Sequence, residues 1–292
     1  MQRILFTMPG IGFSLHGFSL MMLLACFGAL GIAFWRARRE GIDSEAVSGL
    51  AVWLISGGFI GARLMYVTQH PETVQHLGDV FKIWQGGIVF YGCIMGGLIG
   101  SVIYWRRHPF PFLAMADAVA PALAVGSALG RVGCFLNGCC YGARTNLPLA
   151  VCFPAGSPPW VRHFKLGLIP PTSGWSLAVH PTQLYAALDG LALLGLLTWF
   201  YPRRRRDGEV MALLMVAYPV LRFINESLRA DEPAIVAGLT AAQAISAGLL
   251  LAGVATWFVL PRRTVVTQRA PHASFSASAA RTEFRDESLL RG

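Results

Sequence analysis

Arg131 heads the run Arg131-Val132-Gly133-Cys134-Phe135-Leu136-Asn137-Gly138-Cys139-Cys140-Tyr141-Gly142, directly behind a long apolar stretch that ends at Gly130. A guanidinium at membrane depth costs a few kcal/mol, so it persists where something anionic uses it. The plainer reading is an arginine that snorkels from a helix end to the interface. Two further arginines, Arg63 and Arg222, sit at comparable depth in other apolar stretches. Arg222, Glu226 and Arg229 are spaced i, i+4, i+7 and share one helix face. The arginine fork matches phosphate oxygens bidentately. Flanking glycines let backbone approach a ligand closely. Three guanidiniums converging from three helices at headgroup level would suit the phosphate of a phospholipid. An internal Arg222–Glu226 pair would account for one arginine and leave Arg63 and Arg131 unexplained.

The elements that must carry these charges are apolar helices. The chain has 292 residues, 54% hydrophobic and 13% charged, against about 25% charged in soluble domains. Apolar segments able to cross about 30 Å of hydrocarbon fall at 12–35, 46–67, 86–105, 112–130, 181–201, 209–228 and 236–260. The fourth is the least regular, with Asp117 and Pro121 inside it. Strand-like alternation is absent, which argues against a β-barrel. The expected fold is an all-α polytopic membrane protein with seven transmembrane helices. The first apolar stretch lacks a basic lead-in and reads as a span, not a cleaved signal.

Basic clusters set the orientation. Arg36, Arg38 and Arg39 follow the first span, Arg106 and Arg107 the third, Arg203 to Arg206 the fifth, and Arg262 and Arg263 the seventh. Every second loop is therefore basic, which predicts the N-terminus outside and the C-terminus inside. Residues 1–263 form the membrane domain, with a long outer loop at 131–180. Residues 264–292, rich in Ser, Ala and Arg, read as a disordered cytoplasmic tail. The net charge of +9 lies beside apolar spans, so no nucleic-acid partner is expected.

Two more stretches face the outer side. Gln85-Gly86-Gly87-Ile88-Val89-Phe90-Tyr91-Gly92-Cys93 enters the third span, and Tyr91 is either an interfacial aromatic or a lipid contact. His180-Pro181-Thr182-Gln183-Leu184-Tyr185 opens the fifth. Its His-Pro start can simply cap a helix, or it can present an imidazole and an amide to the same cavity. Cys134, Cys139 and Cys140, with Cys152 beyond, match zinc-site spacing poorly, and adjacent cysteines seldom ligate one ion. A disulfide, inert thiols and a nucleophilic thiolate beside Arg131 all stay open. No metal ion or cofactor is expected.

These motifs, taken in order, resemble the prolipoprotein diacylglyceryl transferase family. The resemblance covers most of residues 12–260. It rests on Gly61-Ala62-Arg63-Leu64-Met65-Tyr66-Val67, the Gln85–Gly92 segment, the Gly130–Gly142 run, His180–Tyr185, and Arg222-Phe223-Ile224-Asn225-Glu226 with Arg229. It implies a bacterial inner-membrane enzyme that moves the diacylglyceryl group of phosphatidylglycerol onto the lipobox cysteine of a preprolipoprotein. The product is a thioether, and glycerol 1-phosphate leaves. The implied partners are phosphatidylglycerol, preprolipoproteins and membrane lipids.

By the same resemblance, Arg131 is the phospholipid-binding arginine and Arg222 a second essential one. Arg63, Asn137, Gly142, Gln183 and Tyr185 complete the lipid site. Tyr91 stands where the family often has histidine, Cys93 where it has a second glycine, Cys134 where many members have asparagine, and Cys139 where they have an acidic residue. His180, Glu226 and Tyr91 are then the candidate proton acceptors for the thiol. The alternatives are a relative with a different acceptor, or a non-catalytic phospholipid-binding or transport protein.

Overall fold

A computed structural model describes residues 4–7, 14–71, 87, 89–229 and 238–260. The expected tail at 264–292, Arg262, Arg263, and Gln85, Gly86 and Ile88 of the third-span motif lie outside the described residues. The chain opens with two short antiparallel strands, β1 (Ile4–Thr7) and β2 (Ser14–His16), where sequence periodicity showed no strand. The first helix accordingly starts at Gly17 rather than near residue 12.

The helices are α1 (Gly17–Arg39), α2 (Ser44–Gln69), α3 (Phe90–Arg107), α4 (Phe112–Asn137), α5 (Pro158–Lys165), α6 (Thr182–Phe200), α7 (Glu209–Ser227) and α8 (Ala241–Val259). Six of them, α1, α2, α4, α6, α7 and α8, are long and apolar enough to cross a membrane. The expected count of seven is corrected to six by that measure. α3 has 18 residues, but Gly92, Gly96, Gly97 and Gly100 and the terminal Arg106 and Arg107 lower its hydropathy. The chain is thus an all-α, multi-span membrane protein.

Small residues set the packing, because helices in lipid associate by close van der Waals approach. α2 and α3 run antiparallel, with Gly57 and Gly61 against Gly100, Gly96 and Gly92. A β-carbon on Gly61 would clash with the Gly92 carbonyl oxygen and lie 2.7 Å from the Gly96 α-carbon. α1 packs on α4, α4 on α6, and α7 on α8.

Asp117 and Pro121, the irregular residues of the fourth span, are both buried inside the protein. The Asp117 carboxylate accepts the Gly208 N–H at 2.8 Å and the Met211 N–H at 2.9 Å, capping α7 from a neighbouring helix. Arg204 bridges from the α6–α7 turn to Glu40 after α1 at 2.5 Å, and Arg206 donates to the Leu260 carbonyl at the end of α8. The turns that carry the arginine clusters after α1 and α6 therefore meet at one end of the bundle.

Candidate active site

At the opposite end, α4, α6 and α7 enclose a narrow cleft. Arg131 from α4, Asp189 from α6, and Tyr218, Arg222 and Asn225 from α7 line it. About 20 Å³ is open between the side chains, room for a water-sized group. Admitting a lipid headgroup therefore requires the arginine side chains to move. Arg131 was expected to head the outer loop at 131–180. It instead lies inside α4, which continues to Asn137 and ends where Gly138 takes a left-handed backbone at φ 76°. Helical continuity aims Arg131 across the bundle at α7.

Arg222 is held from behind. Glu226, 2% exposed, forms an ion pair with Arg222 one turn earlier. It also accepts from Arg229 at 3.1 Å and from the Thr240 hydroxyl at 3.2 Å. The charged face anticipated from the i, i+4, i+7 spacing thus exists, and both oxygens of its carboxylate are engaged by donors.

The segment that follows α4 is stitched to the ends of α6 and α7. The Gly142 N–H donates to the His180 carbonyl at 3.0 Å, and the Ala143 N–H to the Leu228 carbonyl at 2.8 Å. A β-carbon on Gly142 would lie 2.5 Å from the His180 β-carbon and 2.8 Å from the Leu228 oxygen, so only glycine fits. Thr182 donates to the Cys140 carbonyl and Gln183 to the Cys139 carbonyl, each at 2.7 Å. Asn225, which lines the cleft, donates to the Thr182 carbonyl at 3.1 Å. Tyr141, Phe153 and Val179 form a small buried core that anchors this segment.

A family model of prolipoprotein diacylglyceryl transferases matches residues 3–259. The chain belongs to this family. It is 36% identical over 280 residues to a phosphatidylglycerol–prolipoprotein diacylglyceryl transferase of Gloeobacter violaceus, covering 91% of this chain and 98% of the relative. Proteins of the same name from Clostridium tetani and Thermotoga maritima are 30% identical over 254 residues and 34% over 262. These cover 87% and 89% of this chain, and 96% and 85% of the relatives. The family's activity, diacylglyceryl transfer to prolipoproteins, is this chain's activity.

In this transferase the expected site residues do not all meet. Arg131 and Arg222 share the cleft. Gly142, His180 and Gln183 do not line it; they lie where the segment after α4 is bonded to the helix ends, and there the Tyr185 hydroxyl lies 3.5 Å from His180 Nδ1. Asn137 closes α4 just before the cysteine turn. Arg63 is not brought to the cleft: it donates to the Gly87 carbonyl at 3.2 Å and its guanidinium lies over Tyr66. Tyr91, 40% exposed on α3, does not line the cleft either. The reason is helix pairing. α2 and α3 pack on each other, so the ends that carry Arg63 and Tyr91 form a separate corner. The expected meeting of three guanidiniums is therefore a meeting of two.

Sequence reasoning missed Asp189, Asn225 and Thr240. Asp189 was findable as a carboxylate in mid-span, and Asn225 stood inside the Arg222–Glu226 motif without a role of its own; nothing local marked Thr240. Among the thiols, hydrogen bonds from Cys134 and Cys140 hold Cys139 well below the usual thiol range.

Proposed function

We propose that the Arg131–Arg222 cleft binds the phosphate of phosphatidylglycerol, and that the diacylglyceryl group is transferred there to the lipobox thiol of a preprolipoprotein. The observation that carries this reading is the pair of guanidiniums from two helices lining one cleft, far from the basic turns. The thiol sulfur attacks the glyceryl carbon bonded to the phosphate oxygen. The C–O bond breaks, and its electron pair leaves on glycerol 1-phosphate. Arg131 and Arg222 stabilise the charge that builds on that oxygen, and the protein fixes sulfur and carbon together.

Glu226 serves as the anchor of Arg222, since its oxygens are already engaged. Tyr91 lies at another corner, which leaves His180 of the three expected proton acceptors. An apolar groove of about 580 Å³ between α2 and α3 begins beside Leu64 and Met65. It suits acyl chains and keeps Arg63 as an accessory headgroup contact.

The site is the bacterial inner membrane, with the cleft on the outer face, the N-terminus outside and the C-terminus inside. The gathering of Arg204, Arg206 and the end of α8 at the other pole supports that orientation. α3, antiparallel to α2, completes a seventh crossing in this reading.

Diacylglyceryl transfer to a lipobox peptide in detergent tests the site. Arg131→Lys keeps the charge and loses the fork. Losing a charge-assisted bond should cost about 1.5–3 kcal/mol, roughly ten- to a hundredfold in rate. Arg131→Ala and Arg222→Ala should be worse. Full activity in both well-folded alanine variants would leave the arginines structural and sink the clamp.

A further inference from the structure

The phosphate clamp makes no use of Cys134, Cys139 and Cys140, yet their three sulfurs lie within 4.8 Å of one another. All three are free, partly exposed thiols. Neighbouring side chains normally diverge, which is why the spacing argued against a shared centre. Here the backbone is turned to overcome that. Gly138 reverses the chain at the end of α4, and Cys140 itself is left-handed at φ 58°. Cys140 is the one non-glycine residue with positive φ among the described residues. A β-carbon in that conformation is strained, and such strain persists where surroundings over-determine it. The surroundings here are Thr182 and Gln183, both fully buried, each bonded at 2.7 Å to a carbonyl of the turn. Beside the turn, Gln183 Oε1 is buried without a hydrogen-bond partner.

We propose that Cys134, Cys139 and Cys140 bind one zinc ion as thiolates and that the lipobox thiol of the substrate takes its fourth position. The proposal rests on the transferase reading and supplies the thiol activation that reading needs. Three protein ligands with one open position is the arrangement of catalytic zinc. Zinc–thiolate bonds of about 2.3 Å set tetrahedral sulfurs roughly 3.8 Å apart, so modest side-chain rotation closes the three on an ion. Cys134 lies one helical turn beyond Arg131 on the same face of α4, so the metal-bound sulfur is one turn from the arginine that lines the cleft.

A thiol that coordinates zinc gives up its proton, here to His180 or water. The bound thiolate then forms the S–C bond as the C–O bond breaks, with the electron pair and negative charge departing on glycerol 1-phosphate. The zinc stays divalent throughout. Three protein thiolates already outweigh its charge, so the fourth sulfur stays electron-rich and nucleophilic. The thioether product is a neutral, weak ligand and dissociates, which reopens the site.

The full chain, purified in detergent under reducing anaerobic conditions, is loaded with zinc, freed of loose ions, and assayed for metal by mass spectrometry. The expected result is about one zinc per chain in the wild type and in Cys152→Ser, and almost none in Cys134→Ser or Cys139→Ser, the closed three-cysteine set being the binding unit. Chelator-stripped wild type should transfer roughly a hundredfold more slowly, the scale of losing a proton-accepting catalyst, and recover with zinc.

Cobalt(II) in place of zinc adds a readout on the unmutated protein. Its thiolate charge-transfer bands should shift with a lipobox peptide and stay unchanged with a peptide whose lipobox cysteine is serine. Reduced wild type that retains no metal overturns the proposal. So does metal-free protein, or protein with a Cys134–Cys139 or Cys134–Cys140 disulfide, that transfers at full rate. Each of these leaves the transferase reading intact. Retained metal with a peptide-dependent cobalt spectrum but no transfer under any condition supports the thiol site and sinks the transferase reading.

Discussion

Replacing Glu226 with glutamine removes one negative charge while keeping the shape of the side chain. The native carboxylate is 2% exposed and engaged by Arg222, by Arg229 at 3.1 Å and by the Thr240 hydroxyl at 3.2 Å. Glutamine retains one acceptor and turns NH₂ donors toward guanidinium donors. Breaking a buried pair by removing one partner costs about 3–5 kcal/mol. That is a large part of a typical total stability of about 5–15 kcal/mol, and a midpoint drop on the order of 10 °C should follow in detergent. Arg222 also loses its anchor, so one charge-assisted bond to the departing phosphate weakens. At about 1.5–3 kcal/mol this slows transfer roughly ten- to a hundredfold.

The assay is diacylglyceryl transfer to a lipobox peptide across a pH series, with melting followed in parallel. An anchor that is not a proton acceptor lowers the rate evenly and leaves the shape of the pH profile unchanged. A general base instead loses about 10²–10⁴ in rate together with the ascending limb of the profile. Unchanged melting with loss of the ascending limb alone would refute the claim that the Glu226 oxygens are already occupied. Wild-type melting and rate together would refute the anchor.

Gly61→Val should separate α2 from α3, because its β-carbon meets the Gly92 carbonyl and lies 2.7 Å from Gly96; a lower yield of folded protein with a reduced melting midpoint is expected, and wild-type yield and melting would refute it. His163, 4% exposed in α5, accepts the Leu177 N–H at Nδ1, and burial, with Arg144 and Arg162 nearby, holds its pKa below 6.5. The unfolded segment therefore binds the proton first, so stability is full above pH 6.5 and falls as pH drops below that value; Leu177 amide protection, corrected for the intrinsic slowing of exchange at lower pH, should fall between pH 7 and 5, and much less in His163→Gln. Truncation after Arg263 should leave transfer near wild type, and a reporter fused there should be active only on the cytoplasmic side; activity lost at unchanged protein level, or a periplasmic signal, would overturn these expectations.

Sequence alone determined the class of molecule and the chemistry on offer. Apolar runs of spanning length, alternating arginine clusters and the Arg131 motif are local signals, set by hydrophobicity and charge over one segment at a time. The Arg222–Glu226 pair was legible for the same reason, since i, i+4 geometry is fixed within a single helix. Which helices face each other is decided by packing between segments remote in sequence. Glycines lock α2 to α3, which takes Arg63 and Tyr91 to another corner, while α4, α6 and α7 bring Arg131 to Arg222. Asp117 looked like a flaw in a span until the end of α7 arrived to be capped by it. The cysteine trio shows the same division. Spacing along the chain argues against a common centre, and two left-handed residues held by buried side chains of α6 turn the three sulfurs toward one point.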